Sequence, residues 1–467
     1  MPDRPYIFLE LTSSLCPDCL RRVEAKVIAQ GNDVFLLKRC PDHGLQKVLI
    51  STDLEYYKLT RQLLRPGQMP LHFGAEVDRG CPFDCGLCPD HEQHSCLTLL
   101  EITEQCNLEC PVCYACSCRD SRHRSLDHLE FMLNSIERAE GQPDVVQISG
   151  GEPTIHPQFF EILDAAKSRP IKHLMVNTNG LRIAEDESFA ARLKNYMPGF
   201  EVYLQFDSLD GPTLKELRGR DLRESRLRAI DRLNRHNIST TLVVTLKKGS
   251  NDNQIGQIID FALKQRCVRG VSFQPIQAAG RLHGIDPQRH RLTLSEVRQQ
   301  ILQQSKLFKP EDIVPVPCHP ECLAMAYALK HSGMVLPLAR LVDVKALLAA
   351  GGNTIAYERQ LEVRQHVRKL FSTGASPLSS AGLLSKLFCC LPKLKIPGEV
   401  TYENIFRLTI MQFMDAWSFD VRSVKKSCVH IVHPDGRIIP FDTYNIFHRG
   451  HRAQRISAVT AEQEVAS

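Results

Sequence analysis

The chain has 467 residues, 43% of them hydrophobic, and a formal net charge of +5. This length exceeds one ordinary core and predicts two or three domains, while so small a charge argues against a nucleic-acid partner. The N-terminus lacks the apolar region of a signal peptide, and no apolar run reaches the length of a membrane span. We therefore expect a cytoplasmic protein, with peripheral contact at the inner membrane face left open.

The 18 cysteines are the most unusual feature of the composition. Several precede proline in short knuckles, such as Cys16-Pro17 and Cys40-Pro41. A long chain without a secretion signal is not a disulfide-stapled domain. The clustered cysteines are therefore predicted to bind metal.

Residues 1–75 predict a small metal domain. Cys16-Pro-Asp-Cys19 and Cys40-Pro-Asp-His43 form two knuckles separated by an alternating, strand-like stretch, as in a zinc ribbon or rubredoxin. The four side chains suit one mononuclear Fe or Zn ion, and the ligand types do not distinguish the two metals. We favour a structural role for this ion over electron transfer.

Residues 76–97 contain a second cysteine group. Cys81, Cys85 and Cys88 stand at C-x3-C-x2-C spacing. This spacing predicts an auxiliary iron–sulfur cluster, with Cys96, His91 or a distant residue as its fourth ligand. A second zinc knuckle is the alternative.

Strand-like and helix-like segments alternate over residues 98–285. The predicted strands are Leu97–Thr103, Val145–Ser149, His173–Asn177, Glu201–Phe206, Ser239–Leu246 and Gly270–Pro275, and the predicted helices are Leu126–Ala139, Pro157–Lys167, Leu222–Asn234 and Asn253–Gln265. Six such units predict an α/β fold, an open partial barrel with parallel strands. Ligands of such barrels bind at the carboxyl ends of the strands.

A third cysteine group follows the first of these strands. Cys106, Cys110 and Cys113 repeat the C-x3-C-x2-C spacing and can hold three irons of a 4Fe–4S cluster, leaving the fourth iron open. Gly150-Gly-Glu-Pro153 follows the second strand. The two motifs in this order resemble those of the radical S-adenosylmethionine (SAM) enzymes.

This resemblance implies that the cluster binds SAM and cleaves it with one electron to a 5′-deoxyadenosyl radical. It implies that Gly150 and Gly151 approach the methionine moiety and that the Glu152 carboxylate accepts from its ammonium group. The further residues expected at the cofactor are Tyr114, Pro153, Asn179, Asp207 and Ser208, of which the last three are equally compatible with cap or turn roles. Cys116 and Cys118 are expected to be small buried residues, with ligand or redox-active thiol roles as alternatives.

Residues 286–450 predict a C-terminal auxiliary-cluster and substrate region. Cys318 and Cys322 are predicted to join Cys428 on a second auxiliary cluster, with buried free cysteines as the alternative. A helix-like apolar run extends to Leu329, and a hairpin turns at Pro434–Gly436. The basic, apolar segment Ser379–Lys395 predicts either an interfacial helix or a surface lid, and residues 451–467 predict a disordered tail.

Taken as a set, the motifs over residues 5–450 resemble those of archaeal tetraether lipid synthases and their bacterial relatives, a branch that also includes hydroxymethylpterin methyltransferase-like enzymes. This implies one or two auxiliary 4Fe–4S clusters, a mononuclear metal and a ferredoxin- or flavodoxin-type electron donor. The first hypothesis is carbon–carbon coupling of lipid chain ends. Methyl transfer to a pterin-like or other small heterocycle is the second, and peptide maturation and a simple electron carrier are the remaining alternatives.

Overall fold

The computed structural model describes residues 5–63, 67–331, 334–340 and 402–449. The segment 379–395, predicted as an interfacial helix or lid, and the predicted tail 451–467 lie outside the described residues.

An antiparallel four-stranded sheet forms the N-terminal part of the chain. Its elements are β1 Ile7–Leu15, β2 Arg22–Gln30, β3 Asp33–Cys40 and β4 Gly44–Ser51, followed by α1 Leu54–Gln62. Along β2 the side chains of Val23, Ala25 and Val27 alternate inward, as expected for a sheet with one buried face. The Asp53 carboxylate accepts from Tyr56 N at 2.9 Å and caps α1.

The central part of the chain alternates strands and helices. In chain order its elements are β5 Leu97–Thr103, β6 Val112–Cys113, α2 Leu126–Glu140, β7 Val145–Gly150, α3 Phe159–Lys167, β8 His173–Thr178, α4 Leu181–Glu185, α5 Glu187–Leu193, β9 Phe200–Gln205, α6 Gly211–Arg218, α7 Arg223–His236, β10 Thr240–Leu246, α8 Ile255–Lys264, β11 Val268–Pro275 and β12 Arg281–Leu282. The six strands β5, β7, β8, β9, β10 and β11 are neighbours in this order and pair in parallel. The predicted partial barrel is confirmed.

The C-terminal part extends the same sheet at both ends. Its elements are α9 Pro287–His290, α10 Leu294–Gln304, β13 Val314–Pro315, β14 Leu323–His331, β15 Met334–Pro337, β16 Ile405–Met411, α11 Val421–Val424, β17 Val429–Val432, β18 Ile438–Pro440 and α12 Phe441–Phe447. Strand β16 adds in parallel to β11, while β17 of the predicted hairpin adds in parallel to β5. The helix-like interpretation of the run to Leu329 is wrong, because that run forms β14, which pairs along its length with β16.

Side chains that point into the barrel form distinct layers. At the amino ends of the strands, Glu201 contacts His173 at 3.3 Å and Arg407 at 3.5 Å. Burial opposes the charge of Glu201, but Arg407 and His173 outweigh it and lower its pKa to about 2. Val145, Met175, Tyr203 and Val243 pack above this ion network. The cavity of the barrel lies at the carboxyl ends of the strands, where the site is predicted.

Within the described ranges, no helix combines the length and hydropathy needed to cross a bilayer.

Candidate active site and metal centres

Cys106, Cys110 and Cys113 lie together on the loop that leaves β5. All three line a cavity of about 1210 Å³ at the carboxyl ends of the barrel strands. Burial raises the pKa of the Cys106 thiol to about 12, and a bound metal ion deprotonates such thiols. Three thiols on one short loop beside an open cavity fit a 4Fe–4S cluster with one iron free for a ligand.

The cluster loop is held from the opposite side of the cavity mouth. Strand β12 pairs with β6, with Arg281 opposite Cys113. The Arg281 guanidinium donates to Cys110 O at 2.7 Å and to Ser117 O at 3.0 Å. These bonds fix the loop at its middle cysteine and again four residues after its last one.

Gly150 and Gly151 permit the end of β7 to lie against this loop. Gly150 has a φ of +129°, and a Cβ there would collide with the carbonyl of Thr103. A Cβ on Gly151 would collide with the carbonyl of Gln105. Both glycines line the cavity, so their backbone is open to a ligand bound there.

Glu152 lies outside the cavity lining, in contrast to its predicted ammonium contact. Its carboxylate is 1% exposed and accepts from Thr154 N, Thr154 Oγ1, Thr178 Oγ1 and Asn179 N at 2.6–3.1 Å. The carboxylate therefore ties the ends of β7 and β8 together. Pro153 is also buried and begins the 3-10 turn Pro153–Ile155.

Asn179 and Tyr114 do line the cavity. The Asn179 amide donates to Asn107 Oδ1 at 2.7 Å and accepts from Leu181 N at 3.0 Å. The Tyr114 ring meets Phe441 edge-on at 5.2 Å. Both side chains therefore join the cluster loop to neighbouring elements at the cavity wall.

Asp207 and Ser208 are buried behind the cavity wall. Asp207 binds Arg218 through two 2.7 Å contacts and Arg226 at 3.0 Å. Burial opposes its charge, but the two guanidinium groups outweigh this and hold the pKa of Asp207 well below its usual range. Ser208 donates to Gln254 Oε1 at 2.6 Å. The cation that reaches the cavity here is Arg218, beside Cys110.

Polar side chains form one tier of the cavity wall, which we call the amide tier. It consists of Gln147, Asn177, Gln205 and Gln274, one from each of β7, β8, β9 and β11. Gln274 donates to Tyr203 Oη at 2.9 Å. Asn177 Oδ1 is buried and has no hydrogen-bond partner among the described residues. The tier therefore offers amide groups, including an unused acceptor, to a ligand.

The opposite side of the cavity is apolar and borders a second cysteine group. Its apolar wall consists of Leu97, Leu99, Met411, Phe413, Val429 and Phe441. The Sγ atoms of Cys96, Cys318 and Cys428 lie within 4.8 Å of one another. Cys96 and Cys428 directly precede Leu97 and Val429 in the chain.

Cys322 does not belong to this three-thiol group, although the sequence paired it with Cys318 and Cys428. Its thiol lies 3.6 Å from Ser423 Oγ in a separate buried cluster. Cys96, and not Cys322, is the third member of the group with Cys318 and Cys428. Strands β5 and β17 pair at Leu97 and Val429, so the cysteines that directly precede these two residues lie together.

Cys81, Cys85 and Cys88 line a separate cavity of about 310 Å³ that opens to solvent. Lys425 and His91 line the same cavity. Cys96 lies elsewhere, in the three-thiol group. The described structure therefore separates two auxiliary cysteine sites.

The N-terminal sheet brings the four predicted ribbon ligands together. Ligand atoms of Cys16, Cys19, Cys40 and His43 lie within 4.8 Å of one another. His43 Nδ1 is 3.6 Å from Cys16 Sγ and 3.5 Å from Cys40 Sγ. Separations of this size suit tetrahedral ligands around one metal ion.

The expectation that Cys116 and Cys118 are buried is wrong. Both thiols are exposed, because the loop turns outward after Cys113 through a left-handed Cys116 with a φ of +53°. Neither thiol belongs to a metal-ligand group among the described residues.

The sequence placed Asn177 and the segment Gln274–Arg281 at strand ends, but it assigned no role to Arg218, Arg281 or the amide tier. The tier had a usable signal, since each amide stands among mostly apolar residues of a predicted strand, with Asn177, Gln205 and Gln274 near the carboxyl ends. The two arginines carried no such signal, because their partners are backbone carbonyls and a carboxylate distant in sequence.

Comparison with known proteins agrees with this layout. Residues 100–262 match the model of the Radical SAM superfamily, and residues 8–52 match that of the HMPTM N-terminal zinc ribbon domain. The chain is similar to a 7,8-dihydro-6-hydroxymethylpterin dimethyltransferase of Methanocaldococcus jannaschii, with 28% identity over 96% of this chain and 95% of that protein.

Two further proteins match over shorter stretches. The mycofactocin maturase MftC of Mycolicibacterium smegmatis is 26% identical over 36% of this chain and 42% of its own length. The crystal structure of Streptococcus suis SuiB bound to S-adenosylmethionine matches 45% of this chain and 47% of its own, with 18% identity and a TM-score of 0.37.

Cys106, Cys110 and Cys113 would hold a 4Fe–4S cluster, which with SAM bound would supply the electron for reductive cleavage of SAM. The paired domain matches, the parallel partial barrel and the cysteine loop at its carboxyl end agree with one another. The chain therefore carries a radical SAM domain behind an N-terminal zinc ribbon domain and is a radical SAM enzyme.

Proposed function

We propose that this enzyme is a radical SAM methyltransferase that acts on a pterin-like or other small heterocycle. The observation that carries the proposal is the similarity to the pterin dimethyltransferase over nearly the full length of both chains. A shared barrel alone would support only the common radical chemistry.

The residues that line the cavity would have the following roles. Cys106, Cys110 and Cys113 would hold the cluster, and the backbone of Gly150 and Gly151, which lines the same cavity, would face the methionine moiety of SAM. Arg218 adds positive charge beside Cys110. A ferredoxin- or flavodoxin-type protein is the expected electron donor.

The amide tier supports a heterocyclic substrate. The edge of a pterin ring carries N–H donors, ring nitrogens and a carbonyl, and primary amides can pair with each of these. The buried Asn177 Oδ1, unpartnered among the described residues, suits a ring N–H. A buried polar group gains most from a ligand that satisfies it.

Lipid coupling is a second candidate because of the apolar wall. Leu97, Met411, Phe413 and Phe441 would suit a hydrocarbon chain. The same wall would equally pack against the faces of a flat ring, so it favours neither substrate over the other. The similarity to the pterin dimethyltransferase over nearly the full length of both chains supports the heterocycle.

The test is the dependence of SAM cleavage on added substrate. The anaerobically reconstituted full chain is given SAM and dithionite, with 7,8-dihydro-6-hydroxymethylpterin in one series and a lipid extract in another. The proposal expects 5′-deoxyadenosine to form at least about tenfold faster with the pterin, as a substrate that completes the site would give. Acceleration by lipid and none by pterin would overturn it.

A further inference from the structure

One tetrapeptide occurs twice in the chain, at two different metal-binding knuckles. Cys40-Pro-Asp-His43 lies in the ribbon, and Cys88-Pro-Asp-His91 lies at the second cysteine group. In the ribbon the histidine faces the thiols through Nδ1, which is 3.5 Å from Cys40 Sγ. The chain therefore contains its own example of a histidine three residues after a cysteine that joins the same ligand group.

His91 lies where a fourth ligand of the second site would be needed. Its side chain is 3% exposed and lines the same cavity as Cys81, Cys85 and Cys88. Its backbone N–H donates to Cys88 O at 2.9 Å, so the turn holds the ring close to the third thiol. The three cysteines and His91 therefore border one cavity.

The hydrogen bonds of His91 determine which ring nitrogen carries the proton. Nε2 lies 2.9 Å from Ser427 O, which can only accept, and 3.1 Å from His430 Nε2. Nε2 must therefore bear the hydrogen. In a neutral ring the lone pair is then on Nδ1, which has no hydrogen-bond partner among the described residues.

His430 is oriented to support this arrangement. Its Nδ1 lies 3.1 Å from Ser95 Oγ, which can accept a proton from that nitrogen. His430 Nε2 then carries a lone pair and shares the single Nε2–H of His91 with Ser427 O. A metal-bound histidine almost always donates its other N–H to a carboxylate, a carbonyl or water, and Ser427 O fills that role here.

We infer that His91, through Nδ1, is the fourth protein ligand of an iron–sulfur cluster held by Cys81, Cys85 and Cys88, with His430 as a positioning residue. A neutral imidazole in place of a thiolate removes one negative charge from the cluster and raises its reduction potential. The assignment does not depend on the substrate of the enzyme.

The experiment measures nitrogen coupling to the reduced clusters by electron–nuclear double resonance. The full chain is prepared with ordinary and with ¹⁵N-labelled histidine and reconstituted anaerobically with iron and sulfide. His91→Cys is the test variant, since cysteine can still bind iron. His43→Cys is the matched control, since it changes the same tetrapeptide in the ribbon.

The proposal expects a directly bound histidine nitrogen on a cluster of the wild-type protein, identified by the isotope change. It expects H91C to lose this coupling, keep its iron content and show a lower midpoint potential, while H43C keeps the coupling. Absence of the coupling in the wild type would overturn the assignment, even if the variants did not fold. So would its persistence in folded H91C.

Discussion

Among single residues, Asp207 has a role in the structure that its sequence position did not suggest. Its carboxylate is fully buried and pairs with two guanidinium groups, those of Arg218 and Arg226. A buried ion network of this kind is costly to break, because the remaining charges lose their partner in a medium of low polarity.

We predict that Asp207→Asn lowers the free energy of unfolding by about 3–5 kcal/mol and weakens SAM binding, since Arg218 loses its anchor beside Cys110. Anaerobic denaturant unfolding and SAM titration would measure both. Asp221→Asn, which breaks the exposed pair with Arg223, is the control. Equal behaviour of the two variants would contradict the role of Asp207.

The buried carboxyl group of Asp442 should make the stability of the folded protein depend on pH. Burial raises the pKa of its carboxyl to about 7, against 3.8 for the ordinary group. The folded state therefore holds a proton that the unfolded state releases, and stability falls as pH rises from about 4 to about 7, by up to about 1.4 kcal/mol per pH unit. Asp442→Asn should remove this part of the slope in unfolding measurements at pH 5–8. An unchanged slope of stability against pH in this variant would refute the role of Asp442.

A substitution at Asn177 tests whether the amide tier binds the substrate. Asn177→Leu removes the unused acceptor Oδ1 and places an apolar group in its stead. We predict that binding of the pterin weakens by about 10- to 100-fold, as for the loss of a polar contact in a site built for it. SAM cleavage without substrate should be unchanged. A variant that binds the pterin normally would remove Asn177 from substrate recognition.

The spacing of residues in the sequence predicted those site residues whose function requires a short, fixed pattern. The thiols of Cys106, Cys110 and Cys113 and the two glycines could be found because cluster binding and close backbone approach require a fixed short pattern. The roles of Glu152 and Asp207 could not, because a carboxylate at a strand end looks the same whether it faces a ligand or neighbouring strands. Their burial depends on contacts distant in sequence.

At the level of elements, the short pairing of β12 with β6 holds the cluster loop in position. Arg281→Met removes the bonds to Cys110 O and Ser117 O and leaves two carbonyls without their donor. We predict that the reconstituted variant loses iron several-fold faster than the wild type. The loss is measured by absorbance in the presence of a chelator. Arg119→Met, on the same loop but paired with exposed Glu109, should lose iron at the wild-type rate. If both variants lose iron equally, β12 does not secure the loop.

Strand prediction succeeded where burial on both faces leaves an apolar run of strand length. This holds for β5, whose predicted and observed bounds coincide at Leu97–Thr103. It failed for β14, where Leu, Ala and Met favour a helix locally but pairing with β16 selects a strand. The juxtaposition of Cys96 with Cys428 likewise depends on strand order, which no local pattern encodes.

At the scale of the whole molecule, Lys38 links the metal ribbon to the cavity wall. Its buried ammonium donates to Leu15 O at 2.5 Å and to Ala416 O and Trp417 O at 2.8 Å. The neighbouring Met414 O accepts from Gln277 at 2.6 Å, and Gln277 lines the cavity. The metal ribbon is therefore linked to the cavity wall through residues 414–417.

We predict that Lys38→Met lowers the free energy of unfolding by about 1–3 kcal/mol, because buried carbonyls lose their donor, and weakens substrate binding. Thermal unfolding and substrate titration would show both effects. Lys47→Met, an exposed ribbon position, should show neither. Normal substrate binding in K38M would mean that the ribbon acts independently of the cavity.

We propose that this radical SAM enzyme methylates a pterin-like heterocycle. The most direct measurement is product mass spectrometry after anaerobic turnover of the full chain with SAM, reductant and 7,8-dihydro-6-hydroxymethylpterin, with Cys110→Ala as the inactive control. We predict a pterin product heavier by one or more methyl groups, formed only by the wild-type chain. Unaltered pterin, together with coupled lipid chains from a parallel lipid incubation, would contradict it.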